Sequence, residues 1–93
     1  MPTPSAHDAA WWDNFKRLLD EQTAWPAPYM FKFIVPLDRV ADLEALFPDF
    51  ETSYRASSRG NYVSLTMQPV MPSSEAVADV YARAGTVGGV IML

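Results

Sequence analysis

The chain has 93 residues, 49% of them hydrophobic, which is typical of one small globular domain with a modest core. It has no cysteine, so disulfides, thiolate metal sites and cysteine nucleophiles are excluded. The net charge of −4 disfavours general nucleic-acid binding, because phosphate affinity depends on lysine and arginine. The N-terminus does not resemble a signal peptide, and no apolar run is long enough to cross a bilayer. We therefore expect a soluble, cytoplasmic protein.

The first predicted element is an amphipathic helix at 9–22. Its apolar residues recur at i, i+3, i+4 and i+7, and most charged residues fall on the other side. The helix either packs on its own domain or offers a face to a partner or a second copy. Its polar face lacks the excess of lysine and arginine that a membrane-surface helix carries. The residues of this possible interaction face are Trp11, Trp12 and Phe15, together with Lys32 of the following strand.

A proline-rich link at 25–28 ends this helix and is expected to be extended. Four strands and two helices are then predicted, in the order β-α-β-β-α-β. The strands are predicted at 29–35, 50–56, 62–68 and 90–93, and the helices follow the N-caps Asp38 and Ser73 and run to 46 and 84. The first strand is apolar on both faces except at Lys32, so we expect it to be central and covered on both sides.

The strand at 62–68 alternates valine, leucine and methionine with hydroxyl-bearing residues, so one face should meet the core. Two right-handed βαβ units joined by a hairpin interlock with strand order 4-1-3-2. The predicted fold class is therefore α+β, a ferredoxin-like βαββαβ sandwich at 29–93 with an antiparallel sheet.

Residues 1–28 are predicted to form a tail, the amphipathic helix and the link. The sheet face opposite the two crossover helices is too apolar to stand bare, and we expect the N-terminal helix or a second subunit to cover part of it.

The turn at 57–61 is the strongest candidate for a binding site. No acidic residue lies between Glu51 and Glu75, so the local field could be positive. The serine hydroxyls, the Gly60 amide and Arg59 could hold a phosphate or carboxylate. Alternatively the turn is purely conformational, with Gly60 at positive φ and the serines bonded to their own backbone. The candidate ligand- or partner-binding residues are Arg55, Ser57, Ser58, Arg59, Gly60, Asn61 and Tyr62.

The sequence offers no constellation for catalysis or metal binding. His7 is the only histidine and lies in the predicted tail, so it has no serine or cysteine partner of the catalytic kind. The carboxylates are predicted at helix surfaces and caps. We therefore expect that the protein is not an enzyme and binds no cofactor or metal. Residues 59–63 faintly resemble the third-strand motif of RNA-recognition domains, but the stacking aromatics are missing, so no nucleic-acid partner is expected.

The motif Ser-Ser-x-Gly-x-Tyr-x-Ser-Leu-Thr at 57–66 resembles the signature of the YbeD-like bacterial proteins, a domain of unknown function. The similarity extends over 29–93, including 29–36, the helix with Tyr81 and the closing 89–93, and the helix at 8–22 resembles longer members. The resemblance implies the ferredoxin-like fold and supplies no reaction. By fold analogy such domains resemble ACT-type regulatory modules, which bind small metabolites.

These observations lead to two functional hypotheses. The first is a non-enzymatic regulatory or adaptor module that binds a protein partner through the uncovered sheet face and the hairpin from Arg55 to Tyr62. The alternative is an ACT-like domain that binds a small metabolite. A homodimer is possible. Neither hypothesis includes a nucleic acid or a membrane as partner.

Overall fold

The computed structural model describes residues 9–56 and 60–92, in which three α-helices accompany two antiparallel sheets. The fold is mixed α+β, as the sequence predicts. The helices are α1 (Ala9–Gln22), α2 (Val40–Leu46) and α3 (Ser74–Ala84). The strands are β1 (Ala27–Pro28), β2 (Phe31–Pro36), β3 (Thr52–Ala56), β4 (Tyr62–Met67), β5 (Val70–Met71) and β6 (Ile91–Met92). Among these elements, no helix has the length and apolarity that a bilayer span requires.

The larger sheet has the strand order β3-β4-β2-β6, and every neighbouring pair is antiparallel. β4 and β2 are the interior strands, with Val63 opposite Val35 and Leu65 opposite Phe33. β3 forms one edge, and the two-residue strand β6 forms the other. The prediction that the strand at 62–68 runs through the interior of a sheet is therefore confirmed.

The alternation of β4 fixes which face of this sheet meets the core. Val63, Leu65 and Met67 are buried, whereas Ser64 and Thr66 on the opposite face are half-buried. Adjacent side chains of a strand point to opposite faces, so this pattern gives the sheet one apolar face and one mixed face. The apolar face joins one core with α2 and α3, formed by Phe31, Phe33, Val35, Leu43, Phe47, Val63, Leu65, Met67, Met71, Val77, Val80, Tyr81, Ala84, Val87, Val90 and Met92.

The two predicted helix caps have different outcomes. The Ser73 hydroxyl oxygen accepts a 3.1 Å hydrogen bond from the Ala76 amide, so the predicted cap of α3 is confirmed. The predicted cap at Asp38 is wrong, because α2 starts at Val40 without a side-chain cap. The chain enters a 3-10 helix at Leu37–Arg39 directly after Pro36. Asp38 is therefore already inside a helical turn, where it cannot act as the extended residue that precedes a helix.

A two-stranded sheet that the sequence does not indicate ties the proline-rich link to the segment before α3. Ala27 pairs with Met71 and Pro28 with Val70, and the Tyr29 amide donates a 3.0 Å hydrogen bond to the Pro69 carbonyl. Strands of two residues are too short to show a period in the sequence. This pairing holds the link beside α3.

The position of α1 excludes one of the two expected covers of the mixed sheet face, and cover by a second subunit stays a prediction. The helix packs against α3 instead, and the Phe15 ring meets the Tyr81 ring edge-on at 6.0 Å. Only four residues separate Gln22 from β1, which is paired beside α3, so the link keeps α1 on the helical side of the sheet.

The expectation that the first long strand is covered on both sides is also wrong. Phe31, Phe33 and Val35 are buried, but Ile34 on the opposite face is only half-buried. Met30, just before β2, is 54% exposed. Since α1 lies elsewhere, none of the described helices covers this second face.

Candidate interaction face

The sheet face opposite α2 and α3 is here called the open sheet face. Strand register places its residues in rows, because directly opposed residues of antiparallel strands share a face. One row joins Ser53, Thr66 and Lys32, and the next joins Arg55, Ser64 and Ile34. The open sheet face consists of Lys32, Ile34 and Pro36 of β2, Ser53 and Arg55 of β3, Tyr62, Ser64 and Thr66 of β4, and Ile91 of β6.

This face has a polar half and an apolar half. β3 and β4 contribute mainly hydroxyls, whereas Ile34 and Ile91 lie opposite each other on β2 and β6. Ile91 is 46% exposed and Tyr62 is 44% exposed. A partner that matched the face would therefore have to present both apolar and polar groups.

Two cations on the open sheet face, Lys32 and Arg55, differ from the other described cations in their contacts. Neither Lys32 nor Arg55 forms an ion pair or a side-chain hydrogen bond within residues 9–56 and 60–92. The other lysine and arginine side chains of these residues each pair with an acid on the same helix or turn. Those pairs are Lys16–Asp13, Arg17–Glu21, Arg39–Asp42 and Arg83–Asp79.

The charge of Lys32 and Arg55 is also uncompensated by their own sheet. β2, β3, β4 and β6 carry no aspartate or glutamate at their described positions. The two cations lie two strands and two residues apart, so their Cα atoms are about 12 Å from each other. Ser64 and Thr66 lie between them on β4. The result is a positive, hydroxyl-lined strip on an acidic protein, with Glu51 on the same face directly before β3.

The hairpin between β3 and β4 is described only in part. Ser57, Ser58 and Arg59 lie outside the described residues, as does His7, so the ligand-binding interpretation of the turn stays a prediction. Gly60 has a φ of +72°, which confirms the predicted positive φ, and a side chain at this position would meet open space.

The end of the hairpin is fixed to the rest of the fold by its backbone. The Asn61 carbonyl accepts a 3.0 Å hydrogen bond from the Leu37 amide. Tyr62, directly opposite Pro36, follows at the start of β4 on the open sheet face. Of the seven predicted turn residues, the structure therefore places Arg55 and Tyr62 on this face, with Gly60 and Asn61 beside it.

The aromatic residues of α1 are not part of the same surface. Trp12 and Phe15 pack against the core, and the Trp11 ring stacks on Phe15 with a centroid distance of 5.4 Å. Trp11 is 38% exposed on the flank of the helix. Since α1 contacts α3, these three aromatics lie on the helical side, away from Lys32. The structure does not bring the predicted interaction face together as one surface.

Two tyrosines have perturbed acidities. Burial, followed by the 3.2 Å hydrogen bond with the Tyr29 hydroxyl, raises the pKa of Tyr81 far above its usual value. The hydrogen bond that Tyr54 donates to the Glu44 carboxylate is the main cause of a raised pKa at Tyr54. Both hydroxyls stay protonated at neutral pH, so neither is an acid–base group there. No three histidine, cysteine or carboxylate side chains within the described ranges are grouped as metal ligands.

A cleft of about 650 Å³ lies at the end of the open sheet face, where β3 begins and β4 ends. Ser53 and Thr66 form one wall, and Asp49 and Glu51 add negative charge at its rim. The sequence does not reveal this cleft, because its walls come from two strands and from the loops after Phe47 and Met67. The sequence also does not indicate that Ile91 lies on this face, since a two-residue strand shows no alternation.

Comparison with family models matches residues 20–93 to a family described as a protein of unknown function, DUF493. The matched region begins in the last part of α1 and includes both sheets, α2 and α3. Comparison with curated proteins and with solved structures gave no match. The YbeD-like resemblance of the turn and its flanking strands agrees with the family match, because the YbeD-like proteins are this family. The chain therefore belongs to the DUF493 family.

Proposed function

We propose that this protein is a non-enzymatic, cytoplasmic regulatory or adaptor module that binds a protein partner through the open sheet face and the β3–β4 hairpin. The observation that carries the proposal is the pair of cations Lys32 and Arg55, which have no acidic partner in the described part of the chain. We also infer that residues 31–92 form a ferredoxin-like sandwich, since the β3-β4-β2-β6 order and the helices on one face agree with that topology.

The chemistry of the open sheet face favours an acidic, amphipathic partner segment. Arg55 can form bidentate hydrogen bonds with a carboxylate, and Lys32 provides a second positive charge about 12 Å away. The hydroxyls of Ser64 and Thr66 can hydrogen-bond to polar groups between them. Ile34, Ile91 and Tyr62 offer apolar area beside this strip, and charge complementarity would orient the partner.

The breadth of the face is the reason for proposing a macromolecular partner. Small-molecule sites are concave and bury most of the ligand surface. The outward residues of the open sheet face come from four neighbouring strands and form a broad surface instead. Broad surfaces with a few apolar side chains and a charged rim are typical of protein interfaces.

The cleft beside Ser53 and Thr66 supports a second candidate, an ACT-like domain that binds a small metabolite. Its volume of about 650 Å³ lies in the range of ligand pockets. Asp49 and Glu51 at its rim favour a cationic ligand. A thermal-shift screen with amines, amino acids and organic acids tests this candidate: stabilisation by a cationic compound, lost on Glu51→Gln, would support it.

The protein-partner proposal is tested by affinity capture from a cell extract with three immobilised proteins. They are the wild type, the double variant Lys32→Glu/Arg55→Glu, and the matched control Arg17→Glu/Arg83→Glu on the helical side. Both variants have the same net charge, and exposed ion pairs such as Arg17–Glu21 and Arg83–Asp79 contribute little to stability. We expect one protein to be retained stoichiometrically by the wild type and the control and lost by the open-face variant. Equal retention by all three would contradict the proposal.

A further inference from the structure

The outer edge of β3 is not paired with any other strand in the described part of the chain. On its inner side β3 pairs with β4. It is five residues long, contains no proline, and its register with β4 is regular from Thr52 to Ala56. Edge strands of this kind offer unpaired amide and carbonyl groups to another strand. The opposite edge, β6, has two residues and offers much less.

The charges along this edge suggest what pairs with it. Glu51 directly precedes β3, and Arg55 lies four residues further on, so strand alternation places both on the open sheet face. Glu51, Ser53 and Thr66 line the same cleft, which agrees with this placement. Both charged side chains are exposed, and neither has an ion pair or hydrogen bond among the residues described.

We propose that two copies of this chain associate by antiparallel pairing of β3 with β3 of the second copy, about a two-fold axis at Ser53. In this register Arg55 lies directly opposite Glu51 of the second copy, and the symmetry repeats the pair. Ser53 faces its own equivalent, and Tyr54 faces Thr52. Opposite charges and hydroxyl pairs at directly opposed positions stabilise antiparallel strands.

Neighbouring registers are less favourable. An axis at Arg55 would place the two arginines directly opposite each other, which is destabilising. An axis at Tyr54 would place Arg55 opposite Ser53 and leave Glu51 opposite residue 57. Only the axis at Ser53 pairs both charges directly, so the sequence of β3 selects one register among those compatible with the faces of the strand.

The dimer would join two four-stranded sheets into one sheet of eight strands, with the helices of both copies on the same side. Such an isologous contact is the commonest form of symmetric association. Its area is small, since it involves mainly one short strand from each copy, so the association should be weak and concentration-dependent. In the dimer Arg55 is paired with Glu51 of the second copy whereas Lys32 is not, so variants of Lys32 separate partner binding from self-association.

Sedimentation equilibrium of the full chain over a wide concentration range tests this inference. We expect the wild type to dimerise reversibly, and we expect Glu51→Arg and Arg55→Glu each to raise the dimer Kd about tenfold or more. The double variant Glu51→Arg/Arg55→Glu restores opposite charges and should return the Kd close to the wild-type value. Glu75→Arg and Arg83→Glu, which make the same charge changes on α3, should leave it unchanged.

Three results would overturn the inference. They are a wild type that stays monomeric at the highest concentration, single variants that dimerise as well as the wild type, and a double variant no tighter than the single ones. Lys32→Glu separates the two proposals, because this variant should dimerise normally while losing the partner.

Discussion

The ring of Phe15 on α1 meets the ring of Tyr81 on α3 edge-on, with centroids 6.0 Å apart. This contact places the N-terminal helix on the helical side of the protein. With α1 in this position, no helix of the described chain lies over the open sheet face. Aromatic pairs in this geometry stabilise a fold by more than the burial of their surface area alone contributes.

Replacing Phe15 with alanine should lower the free energy of unfolding by about 1–2 kcal/mol, because the half-buried ring loses contact with Tyr81 and the core. Leu18→Ala on the same helix is the control. Leu18 is 41% exposed, so its loss should cost less than about 0.5 kcal/mol. Urea denaturation measures both. Equal effects would mean that α1 is not docked through Phe15.

Gly89→Ala should be more destabilising than Gly60→Ala. Both glycines have positive φ, at +78° and +72°, so each substitution costs roughly 1 kcal/mol in backbone strain. At Gly89 an added Cβ would also lie 2.8 Å from Cγ of Pro36, whereas at Gly60 it would meet open space. We expect a total loss of about 2–3 kcal/mol for Gly89→Ala. Equilibrium unfolding of the two variants gives the comparison, and a larger loss at Gly60 would contradict it.

Ser73→Ala should lower the free energy of unfolding by about 1 kcal/mol, since the Ala76 amide loses the hydroxyl that caps α3. Asp38→Ala is the informative counterpart, because both residues look like caps in the sequence. Asp38 makes no cap hydrogen bond, so its removal should cost less than about 0.5 kcal/mol. Thermal and urea unfolding distinguish the two. A loss at Asp38 as large as that at Ser73 would refute the assigned start of α2.

Tyr81 should make the protein less stable in alkaline solution. Its pKa in the folded state is raised above the unfolded value of 10.0, chiefly by burial. The hydroxyl therefore contributes stability that is fully present below about pH 10 and declines as the pH rises further, by at most about 1.4 kcal/mol per pH unit. Tyr81→Phe removes this dependence. The unfolding free energy of the wild type, relative to that of Tyr81→Phe, should therefore be constant near neutral pH and fall between about pH 10 and pH 11. Parallel curves would contradict the burial of the ionisable hydroxyl.

The sequence predicts those parts of the fold whose signals are local. The period of two in β4 correctly orients Val63 and Leu65, and the serine before an apolar helix correctly marks the start of α3. The position of α1 could not be predicted, because an amphipathic stripe shows that a face is covered without showing what covers it. The pairing of β1 with β5 depends on contacts between residues more than forty positions apart.

The candidate site likewise has features that local sequence signals predict and features that depend on long-range contacts. Alternation alone places Lys32 and Tyr62 on the mixed face of the sheet, and glycine chemistry predicts the positive φ of Gly60. The sequence cannot show that Lys32 and Arg55 lack ion pairs, because that depends on distances to acids elsewhere in the fold. The helical cations pair with acids three or four residues away, a spacing that is visible in the sequence.

Binding of an acidic protein partner by the open sheet face can be tested with an NMR footprint of the complex. Backbone amide shifts of the isotope-labelled protein are recorded while the partner retained by affinity capture is added. We predict that the perturbed amides lie in β2, β3 and β4, with Lys32, Arg55 and Ser64 among them, and that α1 and α3 are little affected. Perturbations confined to α1 and α3, with the open sheet face unchanged, would show that the partner binds elsewhere.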